Sequence, residues 1–457
     1  MLTFDMDVDP RDQRIAELEA QLGAANARVQ TLEQELKRAM ERLGELERSA
    51  HRQAAPFRRD PSGKIPPEQR KRPGRKPGHQ GFFRSVPPQV DEQIDVPLER
   101  CPRCGGAVGG VTVLEQFIEE IPPVRPRVIR LTTRQGVCGC CGEVHSTHPL
   151  QMSQAGGCAK VQLGPRASAL ATLLNKGHGL TMRRTVAILG ELWGLKLTPG
   201  ALSQLVARVA AKVSGDYDQL IEQLRCSAAV HADETSWWVG GPGHWLWTFT
   251  TPRTTVYFVD KCRGSDVVNE ILGERFGGVL VSDCLSSYDP VQCLKHKCFA
   301  HHLRAIKTAQ ALHSSPSEYL NQWKRLFQTA ALIWNVRDSI PSQQWIAARE
   351  DMEQQKNRLL DQDVGLIGDV KIRNRLIKHR DHLLRCLWDP AVEPTNNRAE
   401  RALRPAVIAR KLSCGNKTET GKQTWQILTS LATTCRQRGE DFTQFLTARI
   451  PLAPPTG

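Results

Sequence analysis

The residues from 226 to 284 constrain the fold most, because their apolar pattern changes there from helical spacing to short runs separated by turns. The runs SAAVHADETSWWV (227–239), HWLWTFTT (244–251) and TTVYFVD (254–260) are rich in aromatic and β-branched residues. We expect three antiparallel strands, a helix over 264–276 capped by Ser265, and a short buried strand over 277–284. This β-β-β-α-β order predicts that the last strand lies beside the first and parallel to it.

Two acids occupy corresponding places in this pattern. Asp233 follows the apolar run AAVHA, and Asp283 follows VLVS. If their strands are neighbours, two carboxylates enter one small space and repel each other unless a cation lies between them. Mg²⁺ needs only a few protein carboxylates, and a pair of such ions catalyses phosphoryl transfer. The alternative for either residue is a strand-end aspartate that accepts hydrogen bonds from backbone amides.

A third acid, Glu400, lies in the basic stretch TNNRAERALRPAVIARK (395–411), which predicts a helix capped by Thr395 or Asn396. An ion pair between Glu400 and Arg404, four residues apart, is the ordinary expectation for an exposed helix. The same helix is also suited to hold a phosphate backbone against bound metal ions. The candidate DNA contacts on it are Asn397, Arg398, Arg401 and Arg404.

The net charge of +14 favours a polyanionic partner, nucleic acid first and a membrane surface second. We find no long apolar run and no N-terminal export signal, so we expect an intracellular protein without a membrane partner. Fourteen cysteines then indicate reduced thiols or zinc ligands rather than disulfides.

Residues 11–48 carry apolar residues at alternating steps of three and four, with charged residues at most other positions. The apolar stripe is too narrow for a helix packed on a domain, so we expect a coiled coil that joins copies of the chain into a homo-oligomer. The apolar positions are Ile15, Leu18, Leu22, Ala25, Val29, Leu32, Leu36, Ala39, Leu43 and Leu46.

Residues 51–84 contain ten basic residues against two acidic ones, together with prolines and glycines that oppose a helix. The segment KRPGRKPG is similar to extended basic hooks that lie in A·T-rich minor grooves. Its candidate DNA contacts are Arg72, Arg75 and Lys76. A solvated linker is the alternative.

Residues 98–148 contain two C-x2-C pairs, each followed by a glycine that eases a tight turn. We expect a zinc ribbon in which four thiolates hold one structural Zn²⁺, with two strands in the intervening 113–137. The four ligands are Cys101, Cys104, Cys138 and Cys141; Cys140 and His145 are spare candidates. A redox pair is the weaker alternative, because two matched pairs are present.

Two further patterns have competing interpretations. Residues 160–215 predict three helices, with Thr181 and Thr198 as N-caps and Pro199 at a first helical position. The unit resembles a helix-turn-helix that binds DNA, although simple helix packing has the same pattern. The segment CLKHKCFAHH (293–302) has loose zinc spacing in Cys293, His296, Cys298 and His301, but Cys298 is expected to be a small buried residue, and His301 or His302 to lie near the acids.

The strings HADET, VLVSDCLSSYD, CFAHHLRAIK and PTNNRAERALRP resemble the insertion-sequence-66 family of bacterial DDE transposases. The resemblance implies a ribonuclease-H-like catalytic domain over 226–305 and 391–450, interrupted by a helical insertion over 306–390. It also implies that Asp233, Asp283 and Glu400 bind two Mg²⁺ or Mn²⁺ ions. The expected fold class is therefore a multidomain combination of α+β and α/β parts.

The resemblance further implies a transposase that binds the terminal inverted repeats of its element, cuts them and joins them to target DNA. Accessory proteins of the same element are possible partners, and the expected location is the bacterial cytoplasm, at the nucleoid. A zinc-containing DNA-binding protein without catalysis, or a domesticated remnant, would explain the charge, the coiled coil and the cysteines. A structure-selective nuclease would share the acids and differ in its substrate.

Overall fold

The computed structural model describes residues 21, 23, 30, 78–81, 84–148, 150–152, 161–313 and 315–450. Its contacts divide the chain into two units, Met1–Val111 and Thr112–Gly457. Within the described residues, no helix has the length and the apolar composition that crossing a lipid bilayer requires.

The described part of the first unit is mostly extended and exposed, with one small turn. Arg100 and Ala107 form an isolated bridge, and within it the amide of Cys101 donates to the carbonyl of Gly106 at 2.9 Å. The coiled-coil prediction falls almost wholly outside the described residues, where only 21, 23 and 30 are described, as helical and exposed. The basic hook with Arg72, Arg75 and Lys76 lies outside them too.

The second unit begins with a segment that corrects the prediction of two strands between the cysteine pairs. Residues 112–134 contain no strand, and a short hairpin of β1 (Gln135–Cys138) and β2 (Gly142–His145) follows them. The β-branched residues of 113–131 are largely exposed. Prolines 122, 123 and 126 remove backbone donors from the middle of this run, which opposes a strand ladder.

Four helices come next: α1 (Pro165–Thr172), α2 (Met182–Trp193), α3 (Pro199–Lys212) and α4 (Ser214–Arg225). The predicted caps are confirmed, since Thr181 accepts a hydrogen bond from the amide of Arg184 and Thr198 accepts one from Ala201. Pro199 occupies the first turn of α3 as predicted. Helix α4 was not predicted, and the reading of DNA by this unit remains a prediction.

The central sheet has five strands: β3 (Ala229–Trp237), β4 (His244–Thr250), β5 (Thr255–Asp260), β6 (Arg275–Ser282) and β7 (Gln292–Lys297). Their order is β5-β4-β3-β6-β7, with β3–β4 and β4–β5 antiparallel and β3–β6 and β6–β7 parallel. The prediction that the fourth strand lies beside the first and parallel to it is confirmed.

Helix α5 (Ser265–Leu272) connects β5 to β6 and corrects one detail. Ser265 is the first helical residue, while the cap position is held by Gly264 without a side-chain hydrogen bond. A glycine is an accepted cap residue because its backbone adopts the required conformation without steric cost.

Both faces of the sheet are covered, because successive strand residues alternate between them. Val230 and Ala232 of β3 join a core that also contains residues of α1–α5 and of two later helices, α11 (Glu419–Arg438) and α12 (Phe442–Arg449). This core therefore runs across the predicted boundary between the helical unit and the sheet. Ala229 joins a second core on the other face.

The second core belongs mainly to the chain between β7 and residue 392. It is built by α6 (Phe299–Gln310), α7 (Glu318–Asn335), α8 (Ser342–Asp361) and α9 (Ile367–Lys378), together with Val279 and Val281 of β6. Helix α10 (Asn397–Ser413) then returns to the sheet, where Leu403 and Ala406 pack with Trp237. The run between the second and third acids is thus helical, as expected.

Candidate active site

The register between β3 and β6 brings the two aspartates to the same level. The last registered parallel pair is His231 with Val281, and Asp233 and Asp283 each lie two residues further along their strand directions. Asp233 continues into the part of β3 that pairs only with β4, opposite Thr248. Because β6 ends at Ser282, Asp283 is the first residue beyond it. The prediction that the two acids come to the same level on neighbouring strands is confirmed, but only Asp283 lies at a strand end, because β3 continues past Asp233 to Trp237.

The alternation of side chains places Asp233 on the face covered by α10. Residues 229 and 237 of β3 share its parity, and the side chains of Ala229 and Trp237 pack in the cores on that face. Glu234 has the opposite parity and lies on the other face. Two adjacent acids of the HADET string therefore have different surroundings.

Glu400 lies in the first turn of α10, close enough to Asp233 for its negative charge to raise the pKa of that aspartate. Burial raises the pKa of Asp233 well above its usual value, and the charges of Glu234, Asp283 and Glu400 raise it further. A hydrogen bond from the amide of Glu234 opposes this rise only in part. The site therefore concentrates negative charge in a region of low solvation, which a cation would relieve.

Asn396 fixes the start of α10 against β3, a role that the sequence did not reveal. Its side chain is fully buried, and Nδ2 donates to the carbonyl oxygen of Ala232 at 2.8 Å. Its Oδ1 lies 3.3 Å from Nδ1 of His231, so the ring nitrogen is the donor. Asn396 occupies the predicted cap position but does not cap the helix, because its side chain bonds the strand instead. It links the helix of Glu400 to the residue preceding Asp233.

The segment before Asn396 is held by residues of the cysteine- and histidine-containing string. The amide of Asn396 donates to Sγ of Cys298 at 3.1 Å, and Nε2 of His296 donates to the carbonyl of Pro394 at 3.2 Å. Both side chains are fully buried, as expected for Cys298. These contacts give His296 and Cys298 a structural role rather than that of ligands in a second zinc site.

The carboxylate of Glu400 pairs with α6 rather than along its own helix. Its Oε1 accepts a hydrogen bond from Nη2 of Arg304 at 3.1 Å and lies 3.9 Å from Nε2 of His301. Among the ion pairs of the described residues, Glu400 has none with Arg404, which corrects the expected pair on one helix. His301 borders the acids as expected, whereas His302 is buried and stacks on Phe327 at 5.3 Å.

Glu234 is held from two sides. Its Oε1 accepts from Nη2 of Arg263 at 2.8 Å, and its Oε2 accepts from the hydroxyl of Tyr288 at 2.8 Å. The guanidinium of Arg263 lies 4.0 Å above the ring of Trp245, which fixes it further. The only signal in the sequence was the position of Glu234 beside Asp233, because its partners lie 29 and 54 residues away.

The predicted DNA contacts of α10 differ in their availability. Asn397, Arg401 and Arg404 are exposed on the helix. Arg398 is half-buried and binds Glu393 through Nε at 3.0 Å and through Nη2. Three of the four predicted residues therefore present their side chains to solvent, and the fourth stabilises the entry to the helix.

Each cysteine pair has the local features of a metal knuckle. Backbone amides of Arg103 and Cys104 lower the pKa of the Cys101 thiol, and those of Cys140 and Cys141 lower that of Cys138. Gly105 and Gly142 both have positive φ, 72° and 73°, which permits the tight turn after each pair. Amide donors at a sulfur favour its thiolate form, the form that binds Zn²⁺.

No group of three or more His, Cys, Asp and Glu side chains within the described ranges is already gathered as a metal site. The acids nevertheless suit divalent cations chemically, because their charges raise the pKa of Asp233 and oxygen donors are the ligands that Mg²⁺ and Mn²⁺ prefer. The carboxylate of Glu400 is at present paired with Arg304.

The comparisons with known proteins agree with the resemblance drawn from the motifs. A family model described as "Transposase IS66 family" matches residues 160–424. The uncharacterized protein y4qI of Sinorhizobium fredii is 24% identical over 413 residues, covering 81% of this chain and 73% of the relative. Another uncharacterized protein of that bacterium, y4hP, is 24% identical over 442 residues, covering 85% and 76%. Because the family model spans more than half of the 457 residues, the chain belongs to the IS66 transposase family.

Proposed function

We propose that this chain is a DDE-type transposase that cuts the ends of its element and transfers them to target DNA. The observation that carries the proposal is the register of β3 and β6, which brings Asp233 and Asp283 to the same level on adjacent strands. The helix that carries Glu400 is fixed to the same strand, one residue before Asp233, through Asn396. Family membership supports DNA as the partner.

The sheet supports a ribonuclease-H-like catalytic domain. Three antiparallel strands followed by two parallel strands, in the order β5-β4-β3-β6-β7, fit that fold, with residues 226–305 and 391–450 forming the domain. Residues 306–390 would be its helical insertion. Helix α6 crosses the boundary between these two parts, and His301 and Arg304, which approach Glu400, lie on the catalytic side of it.

Asp233, Asp283 and Glu400 would hold two Mg²⁺ or Mn²⁺ ions. When bound, such a pair supplies charge stabilisation to the phosphodiester and lowers the pKa of an attacking water. Burial and like charge make this cluster costly without a cation, which is the physical argument for the assignment.

Two displacements at phosphorus follow from this activity. Water first attacks the phosphodiester at the end of the element, and the 3′ oxygen leaves as a hydroxyl. That hydroxyl then attacks a phosphodiester of the target, and a target 3′ oxygen leaves. The protein's own residues position these reactants: exposed Asn397, Arg401 and Arg404 bind backbone phosphates, while Asn396 and Cys298 keep α10 in place.

The remaining parts would recognise and pair the two ends. We assign end binding to the hook around Arg72, Arg75 and Lys76, to a zinc ribbon with Cys101, Cys104, Cys138 and Cys141, and to helices α2 and α3. The coiled coil of 11–48 would join two copies so that both ends are cut together. Accessory proteins of the element remain possible partners in this scheme.

The test is a cleavage assay with purified full-length protein, Mn²⁺ and linear DNA that carries the flanks of its own gene. We expect new 3′-OH ends at inverted repeats, and we expect Glu400→Gln to abolish them while DNA binding is retained. Glu393→Gln is a matched control, because Glu393 precedes the same helix but pairs with Arg398. This variant should still cut.

The assay also separates the competing functions. Cleavage by Glu400→Gln at the wild-type rate would refute the triad. Specific binding without nicks, in the presence of the proteins encoded beside it, would favour a DNA-binding protein without catalysis. Nicks without any joined target product would favour a nuclease.

A further inference from the structure

Two arginines pair with acids around the candidate site, and their surroundings differ. Arg263 binds Glu234, whose side chain is only 4% exposed and whose second oxygen is held by Tyr288. Arg304 binds Glu400 through Nη2, where the arginine side chain is 62% exposed and the glutamate 33%. The carboxylate of the first ion pair is therefore buried although Arg263 is 44% exposed, whereas both partners of the second pair are accessible to solvent.

The open pair has a mixed neighbourhood. Nη2 of Arg304 lies 3.1 Å from Oε1 of Glu400 and 3.3 Å from Nε2 of His301, so one guanidinium nitrogen bridges both side chains. His301 and Arg304 are three residues apart on α6 and share one face of that helix. Among Asp233, Asp283 and Glu400, Glu400 is thus the one whose carboxylate forms an ion pair with an arginine.

We propose that Arg304 is a displaceable counter-ion of Glu400: a divalent cation at the acids replaces it, and the released guanidinium then binds a phosphate of the DNA. The inference rests on the proposed function, because it assumes that Glu400 is a metal ligand. It adds a residue on α6 that couples metal binding to DNA binding.

The physical argument is competition for one carboxylate. An exposed arginine–carboxylate pair contributes little net free energy, because both groups remain solvated and a long side chain loses entropy. A divalent cation carries twice the charge and is held by several carboxylates at once, so it displaces the arginine at small cost. A guanidinium has five donors in a planar fork that matches phosphate, which makes DNA its natural second partner.

The first experiment measures Mn²⁺ affinity of the full-length protein by isothermal titration calorimetry, without DNA. Loss of the competing cation in Arg304→Ala should tighten Mn²⁺ binding about two- to fivefold, the factor that corresponds to an exposed ion pair. Arg304→Lys should bind Mn²⁺ with an affinity between that of the wild type and that of Arg304→Ala.

The matched control is Arg325→Ala. Arg325 is also 62% exposed and also forms an ion pair, with Glu318 on its own helix α7. Its removal changes the net charge equally but leaves the candidate ligands untouched, so Mn²⁺ affinity should stay at the wild-type value. Circular dichroism of each variant checks that the fold is retained.

The second experiment measures DNA affinity against salt, with Ca²⁺ or with EDTA, on linear duplex carrying the gene's flanks. The salt slope is the slope of the logarithm of DNA affinity against the logarithm of salt concentration. In the wild type, Ca²⁺ should make this slope steeper by about one, the value for one additional phosphate contact. Arg304→Ala should lack this change. Arg304→Ala should therefore bind metal more tightly than the wild type and gain less DNA affinity from Ca²⁺. If Arg304 only held Glu400 in place, its removal would not be expected to have these two effects together.

Each outcome has one meaning. Weaker Mn²⁺ binding by Arg304→Ala would show a supporting role and overturn the inference. Two results would overturn the inference while leaving the transposase proposal intact. One is that Arg304→Ala binds Mn²⁺ with the wild-type affinity. The other is that Ca²⁺ increases the salt slope of Arg304→Ala as much as that of the wild type. Absence of Mn²⁺ binding by the wild type, and equally by Glu400→Gln, would overturn both.

Discussion

Asn396 joins the start of α10 to β3 beside the candidate site. Replacing it by alanine removes the hydrogen bonds to the carbonyl of Ala232 and to His231, both buried. Because an unpaired buried polar group costs free energy, we expect the free energy of unfolding to fall by about 1–3 kcal/mol. Urea denaturation measures this change.

The neighbouring asparagine provides the control. Asn397 is exposed, so Asn397→Ala should change the free energy of unfolding by no more than about 0.5 kcal/mol. Equal destabilisation by both variants would show that the contacts of Asn396 are not special. At a temperature where both variants are folded, we also expect Asn396→Ala to cleave DNA more slowly than the wild type. Leu376→Ala, which is only less stable, should cleave at the wild-type rate.

Buried histidines make stability depend on acid pH. Burial lowers the pKa of His379 to about 4 and that of His296 to about 3. Both remain neutral in the folded state but take up a proton on unfolding once the pH is below their ordinary value of 6.5. The free energy of unfolding is therefore not reduced by these two histidines above pH 6.5, and it decreases as the pH falls from 6.5 towards 4. Asp233 acts in the opposite direction, because its pKa is raised.

A single variant isolates the histidine effect from the opposing carboxylate. We expect His379→Gln, which cannot titrate, to gain about 1–2 kcal/mol relative to the wild type between pH 6.5 and pH 5. Urea denaturation at several pH values gives this difference. A constant difference between the two proteins across that range would contradict a neutral buried His379.

At the scale of the element, α10 is attached to the sheet at its far end by Arg410. Nη1 of Arg410 donates to Oγ1 of Thr235 at 3.0 Å, to Oγ of Ser236 at 2.9 Å and to the carbonyl of Ser236. Arg410→Ala should loosen the helix, with amide hydrogen exchange over 397–413 faster by about tenfold, the factor for 1.4 kcal/mol. Hydrogen-exchange mass spectrometry measures this rate.

The control lies on the same helix. Arg404 is exposed, so Arg404→Ala should leave exchange over 397–413 unchanged while weakening DNA binding. Faster exchange in both variants would indicate that the helix responds to charge rather than to the contacts of Arg410.

At the scale of the whole molecule, the four knuckle cysteines predict one bound zinc ion per chain. We expect about one Zn²⁺ per purified chain by elemental analysis, and loss of most of it in Cys101→Ser or Cys138→Ser. Cys226→Ser is the control, because Cys226 is an exposed free thiol outside both pairs. Equal zinc content in all three variants would exclude the ribbon.

The elements around the site could be predicted from local patterns, whereas their contacts could not. Thr181 and Thr198 were predictable caps because a cap depends on residues three positions away. The two strands predicted within 113–137 were wrong, since residues 112–134 contain no strand and β-branched residues form one only when a partner strand is available. The ion pair of Glu400 was misassigned to Arg404 because the spacing on one helix carries no information about α6.

The sequence by itself determined the order of the first four strands and the shared level of the two aspartates, because both follow from patterns within a few dozen residues. Its motif strings also carried the family resemblance, with which the family model over residues 160–424 agrees. Only the tertiary structure decided how Asn396 joins α10 to β3, which acid Arg304 neutralises, and that Arg263 and Tyr288 bind Glu234. The partners in the first two contacts are 164 and 96 residues apart in the chain. Contacts over such distances depend on how helices and strands pack, and packing is a property of the folded chain as a whole.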